Sequence, residues 1–434
     1  MLPHASTARP WSRRVELAPS IPVGISSRAV VRLTFDTAKV IAMGPRSPRR
    51  GNVSPLRRCA PSRQPWRSLY AISEAERELA LQRSTASAAS RPICSGPRRQ
   101  PRRGALSPLA PRGIPPGVGR FDHLATTPAR GAADVLKWKL GAREKAVADG
   151  FVTPHRTYDR SLVESGRASL TWIGHASFLL VLGGLRILID PILATGLGTT
   201  KRLAPAGIPI EDLTEIDLVL ITHNHRDHLD TPTLSRILAA HAVHPGKLGK
   251  KNAPLRPRFV VPQGNGALLA KLGAGAIDEL AWWQSVHVGQ VEITLVPARH
   301  WSMRMPWDRN EALWGGFVIR GPEGAAYHSG DTGFFDGFAE IGARSGGSID
   351  WAMLPIGAYA PRWFMEPQHM GPEEAVQASE LLGARTFVAM HWGTYKLTDE
   401  PTGEPPVRAR EAFLKGRGDL ERLWILDVGE TRGL

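Results

Sequence analysis

Four metal-ligand side chains fall within six residues in the segment THNHRDHLD, residues 222–230. They follow the apolar run 216–221, which predicts a buried strand with the ligands on the loop at its end. Side chains alternate in an extended segment, so His223 and His225 point the same way, while Asp227 and His228 turn towards a second position. A single ion cannot easily coordinate all four of these side chains. The segment therefore predicts two adjacent ions, with ligands suited to zinc or a similar divalent metal.

Two neighbouring ions need about six or seven protein ligands, so further His and Asp residues are expected at the ends of other strands. The apolar run 291–296 leads to His300, the run 325–329 leads to Asp331, and the run 386–390 delivers His391. Such placement is typical of a sheet with a metal site along one edge. The predicted assignment is His223, His225 and His300 on one metal, Asp227, His228 and His391 on the other, and Asp331 as the bridge.

This ligand set also predicts the chemistry of the site. Two divalent ions, the neutral imidazoles, two carboxylates and a bridging hydroxide leave one net positive charge, which favours an anionic substrate group. A bound dication lowers the pKa of water from 15.7 to roughly 7. The bridging water is therefore the predicted nucleophile, with Asp331 and Asp227 as catalytic residues that hold the metals.

These residues carry a family resemblance. The segment THNHRDHLD followed by His300, Asp331 and His391 resembles the metallo-β-lactamase superfamily, which implies an α/β fold, an αβ/βα sandwich of two mixed β-sheets with outer helices. Longer segments resemble N-acyl-phosphatidylethanolamine-hydrolysing phospholipase D and its bacterial relatives, over a region from about Gly117 to Leu434. They are PARHWSMRMPWDRNEALWGGFVI (297–319), HSGDTG (328–333), PIGAYAPRWFMEPQHMGPEEAV (355–376) and AMHWGT (389–394).

The narrower resemblance implies a dinuclear zinc phosphodiesterase of the phospholipase D type, with two Zn²⁺ ions per chain. Its expected substrate is a glycerophospholipid such as N-acyl-phosphatidylethanolamine, met at a membrane surface, and relatives of this family imply a homodimer. Two alternatives remain open at this stage. One is a lactonase or phosphodiesterase acting on a small soluble phosphorylated substrate, and the other is a metal-dependent nuclease.

Two further residues are considered as supports for the metal ligands. Asp190 ends the run 185–189, and an acidic residue at such a strand end in this superfamily resembles one that orients the His-rich loop; the alternative is a turn aspartate before Pro191. His175 lies in the apolar stretch TWIGHASFLLV and is expected at most to contact a metal ligand without binding the metal itself, or to be a structural histidine. Its neighbour Ser177 lacks the G-x-S-x-G elbow of a serine nucleophile.

A substrate-contacting loop is predicted at Gln368 and His369, just before a helix with Pro372 in its first turn. A helix N-terminus favours anions, which suits phosphate recognition, and the resemblance places this loop beside the substrate. His369 is accordingly a predicted catalytic residue, and the alternative for both residues is a solvated cap. Upstream, Tyr359 and the bulky residues 362–365 either line an acyl-chain groove or pack a core, and Tyr359 is taken as a substrate contact.

Composition divides the chain into an Arg/Pro/Ser-rich leader, residues 1–115, and a hydrolase domain, residues 116–434. The leader holds 20 Arg and 1 Lys against 5 acidic residues, whereas the domain holds 34 basic and 35 acidic residues. The overall charge of +15 therefore gives no reason to expect nucleic-acid binding by the domain.

The leader lacks apolar periodicity and is expected to be mostly disordered, with one candidate helix at Ser73 to Gln82. Three interpretations stay open: a targeting segment, an electrostatic tail for anionic lipid or nucleic acid, and an extension absent from the working protein. Both cysteines, Cys59 and Cys94, lie here, so the domain has no disulfide framework, as is usual in a reducing compartment.

The sequence predicts a cytoplasmic or peripheral membrane protein. Its most apolar stretch, 178–189, is interrupted by Arg186 and is shorter than the about 20 residues that a membrane span needs. Within the domain, strand patterns are predicted at 168–173, 177–182, 185–189, 216–221, 258–261, 291–296, 316–320, 325–329, 351–354 and 386–390. Helices are predicted at 232–241, 264–272 and 372–382.

Overall fold

The computed structural model describes residues 119–141, 150–243, 257–416 and 418–434. The predictions for the leader, including the candidate helix Ser73 to Gln82 and the cysteines Cys59 and Cys94, lie outside these residues. They stay predictions.

The described residues form a mixed α/β structure. Its strands are β1 (Ser169–Gly174), β2 (Ser177–Leu182), β3 (Leu185–Ile189), β4 (Gly196–Leu197), β5 (Thr200–Lys201), β6 (Leu218–Leu220), β7 (Arg258–Pro262), β8 (Ile277–Leu280), β9 (Ser285–Val288), β10 (Val291–Val296), β11 (Gly316–Gly321), β12 (Gly324–His328), β13 (Ile349–Pro355), β14 (Ala384–Met390), β15 (Leu423–Trp424) and β16 (Thr431–Gly433). Its helices are α1 (Ala132–Leu140), α2 (Arg160–Glu164), α3 (Thr231–Val243), α4 (Gly266–Lys271), α5 (Gly337–Arg344), α6 (Arg362–Met365), α7 (Pro372–Leu381) and α8 (Glu404–Gly416).

Two seven-stranded mixed sheets make up the core of the fold. The first has the order β16-β1-β2-β3-β6-β7-β8, and the second has the order β9-β10-β11-β12-β13-β14-β15. Read in these directions, each sheet begins with three antiparallel pairings and ends with three parallel ones. The carboxyl ends of the parallel strands therefore gather at one edge of each sheet.

Alternating side chains of the first sheet face two different apolar layers. Leu180 packs in the larger core, which also contains Phe317 of β11 and thus joins the two sheets. Its neighbour Leu179 packs in a second cluster with Ile237 of α3 and Leu269 of α4. Because successive side chains on a strand point to opposite faces, the first sheet is covered on one side by the second sheet and on the other by helices.

The predicted sandwich of two mixed sheets with outer helices is confirmed, and every predicted strand is present, with ends shifted by a few residues at most. The predicted helices correspond to α3, α4 and α7. Strands β11 and β12 form a hairpin in which Gly321 lies opposite Gly324. Across the described part of the chain, no helix has the length and apolar character that a bilayer crossing requires.

Truncation of the core between the sheets tests this packing. Leu180 is fully buried there, so Leu180→Ala should lower the free energy of unfolding by about 2–5 kcal/mol, since it removes apolar contact and leaves a cavity. Urea unfolding of the full chain, followed by tryptophan fluorescence, measures the change. As a matched control, Leu414→Ala on α8, where the leucine is 47% exposed, should change it by no more than about 0.5 kcal/mol. Equal losses for the two variants would contradict the packing described.

Candidate metal centre

The ligand-type side chains predicted from the sequence lie beyond the carboxyl ends of strands in both sheets. Their loops follow β6 (His223, His225, Asp227 and His228), β10 (His300), β12 (Asp331) and β14 (His391). The structure brings all seven together, in groups whose ligand atoms lie within 4.8 Å of one another.

Three residues at strand ends adopt a left-handed backbone. His175 directly after β1 has φ 56°, Asp190 after β3 has φ 42°, and His391 after β14 has φ 60°. This conformation is uncommon outside glycine and costs of order 1–3 kcal/mol, so it persists only where surrounding contacts fix it. Here the carbonyl of His175 accepts a hydrogen bond from the backbone N–H of His391 at 3.0 Å, and the N–H of Asp190 donates to the carbonyl of Leu220 at 2.9 Å. These contacts tie the strand ends together at the edge that carries the ligands.

The first ligand group consists of His223, His225 and His300. Nδ1 of His225 lies 2.9 Å from Nε2 of His223 and 3.1 Å from Nε2 of His300. The opposite nitrogen of His300, Nδ1, lies 3.1 Å from the backbone carbonyl of Gln368, to which it donates as N–H. Nδ1 of His223 faces the hydroxyl of Thr222 at 3.0 Å. These outer contacts leave the Nε2 lone pairs of His223 and His300 directed at the shared space.

The second ligand group contains Asp227, His228 and His391, together with His175. Oδ2 of Asp227 lies 3.8 Å from Nε2 of His228 and 3.9 Å from Nε2 of His391. Nε2 of His175 lies 3.1 Å from the same oxygen, closer than either predicted partner. His175 therefore contacts the group directly through the Asp227 carboxylate.

The Asp331 carboxylate faces both groups. Its Oδ1 lies 3.1 Å from Nε2 of His391, and its Oδ2 lies 3.2 Å from Nε2 of His228. Oδ2 is also 4.0 Å from Nε2 of His223, a member of the first group. The Asp331 carboxylate thus lies close to ring nitrogens of both groups.

Asp190 lies behind the ligands and is fully buried. Its Oδ1 accepts from the backbone N–H of Thr222 at 2.7 Å, and its Oδ2 accepts from the Thr222 hydroxyl at 2.6 Å and faces Nδ1 of His228 at 2.8 Å. The carboxylate thus fixes the start of the His-rich loop and the ring orientation of His228. A turn aspartate that bonds only to its own segment would not make these contacts.

The donor set fits divalent cations. Several buried atoms in it lie close to one another yet make no hydrogen bond of good geometry among the described residues: Nε2 of His228, Nε2 of His391 and Oδ1 of Asp331. A buried polar atom without a partner is costly, and a shared cation would satisfy all three atoms. Imidazole nitrogens and carboxylate oxygens are also the ligands that zinc takes in proteins.

The pKa values favour the ligand forms of most of these side chains. Burial lowers the pKa of His225 to about 4 and holds the pKa values of His223 and His300 well below the usual range, so these rings are neutral at pH 7. Burial alone would raise the pKa of Asp331, but His228 and His391 more than offset this and keep it well below its usual value. Neutral imidazole and ionised carboxylate are the forms that bind metals.

His228 is the exception, because its pKa is raised well above its usual value. Burial opposes the charged ring, but the neighbouring carboxylates of Asp331, Asp227 and Asp190 outweigh the burial. A cation bound between these carboxylates would replace the proton on this ring.

A cavity of about 410 Å³ opens onto the ligands. One part of its lining is polar and contains His225, Asp227, His300, Asp331 and His391. The other part is apolar and contains Trp138, Trp301, Met303, Phe364, Met365 and Leu397. The cavity therefore joins the candidate metal centre to a surface suited to hydrocarbon.

Two of the predicted substrate contacts, Gln368 and His369, line this cavity. Nδ1 of His369 lies 4.0 Å from Oδ2 of Asp331, and burial lowers the pKa of the ring to about 4. The side-chain carbonyl of Gln368 accepts from Nε1 of Trp301 at 2.8 Å.

The N-terminus of α7 is already capped, because Glu374 accepts from the backbone N–H of Gly371 at 2.7 Å. The predicted use of this helix end for phosphate is thus opposed by the chain's own carboxylate.

Tyr359 is not among the residues that line the cavity. Its side chain is buried, its hydroxyl donates to Glu404 at 2.6 Å, and the guanidinium of Arg408 lies 4.8 Å from the centre of its ring. These contacts attach the loop after β13 to α8. The structure thus gives Tyr359 a packing role in place of the predicted substrate contact.

Several residues around the cavity were not predicted from the sequence. Trp301 and Met303 follow His300 at alternate positions, and this spacing was a usable signal. Arg226 lies within the His-rich segment itself, and Arg304 donates to the backbone carbonyls of Asn224 and Leu229 in that loop. Trp138 lies far upstream on α1, and no local pattern links it to the ligands.

The sequence also matches known proteins. Residues 185–392, which contain all seven candidate ligands, match a family model described as a β-lactamase superfamily domain. An uncharacterised protein of Mycobacterium tuberculosis is 36% identical over 284 residues, which cover 63% of this chain and 72% of that protein.

Two further relatives are named for an enzymatic activity. The N-acyl-phosphatidylethanolamine-hydrolyzing phospholipase D 1 of Caenorhabditis elegans is 35% identical over 306 residues, covering 66% of this chain and 82% of the relative. A protein of Methanopyrus kandleri named as a metal-dependent hydrolase is 32% identical over 266 residues, covering 60% of this chain and 98% of the relative.

The contacts of Asp190 generate a prediction about metal affinity. In Asp190→Asn, one acceptor oxygen becomes an amide N–H₂ group, which cannot accept from both Thr222 and His228, so the affinity for Zn²⁺ should fall by about 10- to 100-fold. Competition with a chromogenic chelator measures this affinity. The exposed residue Asp336 provides a control of the same chemistry, and Asp336→Asn should leave the affinity unchanged. Unchanged affinity in Asp190→Asn would show that the ligands orient themselves without it.

Proposed function

The chain belongs to the metallo-β-lactamase superfamily, and from this premise we propose that it is a dinuclear metal-dependent phosphodiesterase that hydrolyses a glycerophospholipid. The observation that carries the proposal is the convergence of seven ligand-type side chains at one end of a cavity whose other part is apolar. The first feature suits hydrolysis of a charged ester, and the second suits the hydrocarbon of a lipid.

The proposed ligand assignment follows the two groups. His223, His225 and His300 would hold one ion, Asp227, His228 and His391 would hold the other, and Asp331 would contribute to both. When bound, two divalent ions such as Zn²⁺ supply Lewis-acid polarisation of the phosphoryl oxygens and lower the pKa of water to roughly 7. His175 fixes the orientation of the Asp227 carboxylate, and Asp190 fixes that of His228.

The cavity provides groups for an anionic phosphodiester. Hydrolysis joins a water oxygen to phosphorus and breaks the bond from phosphorus to the leaving alcohol, whose oxygen takes up a proton. Nδ1 of His369 has no hydrogen-bond partner among the described residues, and its ring lines the cavity as a neutral imidazole. We assign to this ring a hydrogen bond to a phosphoryl or leaving-group oxygen. Arg226 and Arg304 line the same cavity and favour an anionic substrate through their positive charge.

The apolar lining supports a lipid over a small soluble phosphodiester. The two indoles, Met303 and Leu397 are only partly buried and would stay in contact with water in a site for a polar metabolite, whereas an acyl chain would cover them. The Caenorhabditis elegans relative named as a phospholipase D supports the same class. The proposed reaction accordingly releases phosphatidic acid and an N-acylethanolamine at a membrane surface.

Loss of the shared carboxylate tests the metal assignment. Asp331→Asn should bind less metal and lose activity by about 100-fold or more, because the amide cannot supply two anionic oxygens. Elemental analysis and a phospholipid assay provide the two measurements. The surface variant Glu340→Gln should keep both properties. Two bound metals together with full turnover in Asp331→Asn would overturn the assignment.

A substrate panel tests the proposed substrate class. The zinc-loaded full-length chain should hydrolyse N-acyl-phosphatidylethanolamine in mixed micelles with a higher kcat/KM than a soluble chromogenic phosphodiester, since only the lipid fills the apolar part of the cavity. A soluble lactone serves as a third substrate. Preference for the soluble diester would leave a phosphodiesterase with a different substrate, and preference for the lactone would exclude phosphodiester hydrolysis as the main activity.

A further inference from the structure

One wall of the cavity comes from a helix that lies upstream of the matched family region. Helix α1, Ala132–Leu140, precedes residues 185–392, yet its Trp138 lines the same cavity as the candidate ligands. The flanking residues Leu136 and Leu140 are 56% and 76% exposed, whereas Trp138 is partly buried against the domain. Helix α1 therefore contacts the cavity through the indole ring of Trp138.

Two contacts fix the position of this indole. Nε1 of Trp138 donates to Oδ2 of Asp399 at 2.6 Å, and its ring lies 5.0 Å from the ring of Phe364, centroid to centroid. Phe364 lies on α6 after β13, and Asp399 lies on the segment after β14. The indole is thus attached to the two segments that also carry His369 and His391.

Two cationic side chains, one just before α1 and one on it, also contact residues of α6. Arg130 donates to the backbone carbonyl of Trp363 at 2.7 Å, and its guanidinium lies 5.6 Å from the centre of the Phe364 ring. Nζ of Lys137 lies 4.8 Å from the centre of the Trp363 ring. Such cation–π contacts add to the hydrogen bond and keep α1 against α6. These contacts therefore fix Trp138 in position as part of the cavity wall.

We propose that Trp138 determines the length of the hydrocarbon chain that the cavity accepts; this inference rests on the proposed function. At about 410 Å³ the cavity is near the small end of the range for ligand sites, so it encloses the reacting group and only part of an acyl chain. Phe364 and Met365 are almost fully buried and belong to the packed wall behind. Trp138 is only partly buried and stands on a separate element, α1, so its ring is the part of the apolar wall that we assign to limit how far a chain extends.

Binding of alkyl probes by the zinc-loaded full-length chain tests the proposal without relying on turnover. Calorimetry compares butyl-, octyl- and dodecylphosphonate, together with the matching carboxylates, on the wild type and on Trp138→Ala. In the wild type the affinity should rise from butyl to octyl and then level off. In Trp138→Ala it should continue to rise, so that the preference for dodecyl over octyl increases by about 10-fold or more.

Two controls separate chain-length selection from a structural role. Trp138→Phe keeps an aromatic ring and loses the hydrogen bond to Asp399, and it should retain the wild-type plateau. Trp363→Ala removes a neighbouring indole that is not among the cavity-lining residues, and it should retain the plateau as well. Loss of the plateau in all three variants would mean that the docking of α1, and not the size of residue 138, sets the limit, and would overturn the proposal.

The two probe series distinguish failure of this proposal from failure of the proposed function. If only the carboxylates bind, and Trp138→Ala extends their accepted length, the phosphodiester assignment fails while the role of Trp138 stands. If phosphonates bind but Trp138→Ala keeps the wild-type plateau, or loses affinity equally for every length, the role of Trp138 is overturned while the proposed function stands.

Discussion

The arrangement of the metal centre depends on the pairing of one buried imidazole with two buried carboxylates. Asp190 and Asp331 are almost completely removed from water, and an ionised carboxylate in such a place is costly unless it is paired. His228 pairs with both, through Nδ1 at 2.8 Å and Nε2 at 3.2 Å. Asp190 follows β3 of the first sheet and Asp331 follows β12 of the second. One side chain therefore links the strand ends of the two sheets at the edge that carries the ligands.

The sequence predicted the interior of the fold better than its borders. Runs such as SFLLVL in β2 are buried along their whole length, because the first sheet is covered on both faces, and such runs are easy to recognise. Apart from the two-residue strands β4 and β5, which pair with each other, the missed strands β8, β9, β15 and β16 lie at the outer ends of the two large sheets. An edge strand has one neighbour and a mixed environment, so it carries no continuous apolar run: β8 reads IDEL, and β9 reads SVHV with alternate residues exposed.

The candidate site likewise contains some residues that local sequence patterns predicted and others that only tertiary contacts bring into place. The residues 223–228 lie on one short loop, and the more distant ligands could be found because each follows an apolar run. His175 also follows an apolar strand, but its contact with Asp227 depends on the approach of β1 to the His-rich loop, which the sequence does not show. Tyr359 was assigned to the substrate from its size and its position in the chain. Only the structure shows Glu404 and Arg408, which surround it.

Each ligand group takes side chains from both sheets. The loop after β6 supplies two members of each group, and the second sheet completes one with His300 and the other with His391. Neither half of the sandwich contains a full set of ligands. A chain divided between β8 and β9 would therefore separate both sets, and tight metal retention would require the two halves to reassociate. Full metal occupancy would therefore require both sheets to be folded and packed against each other.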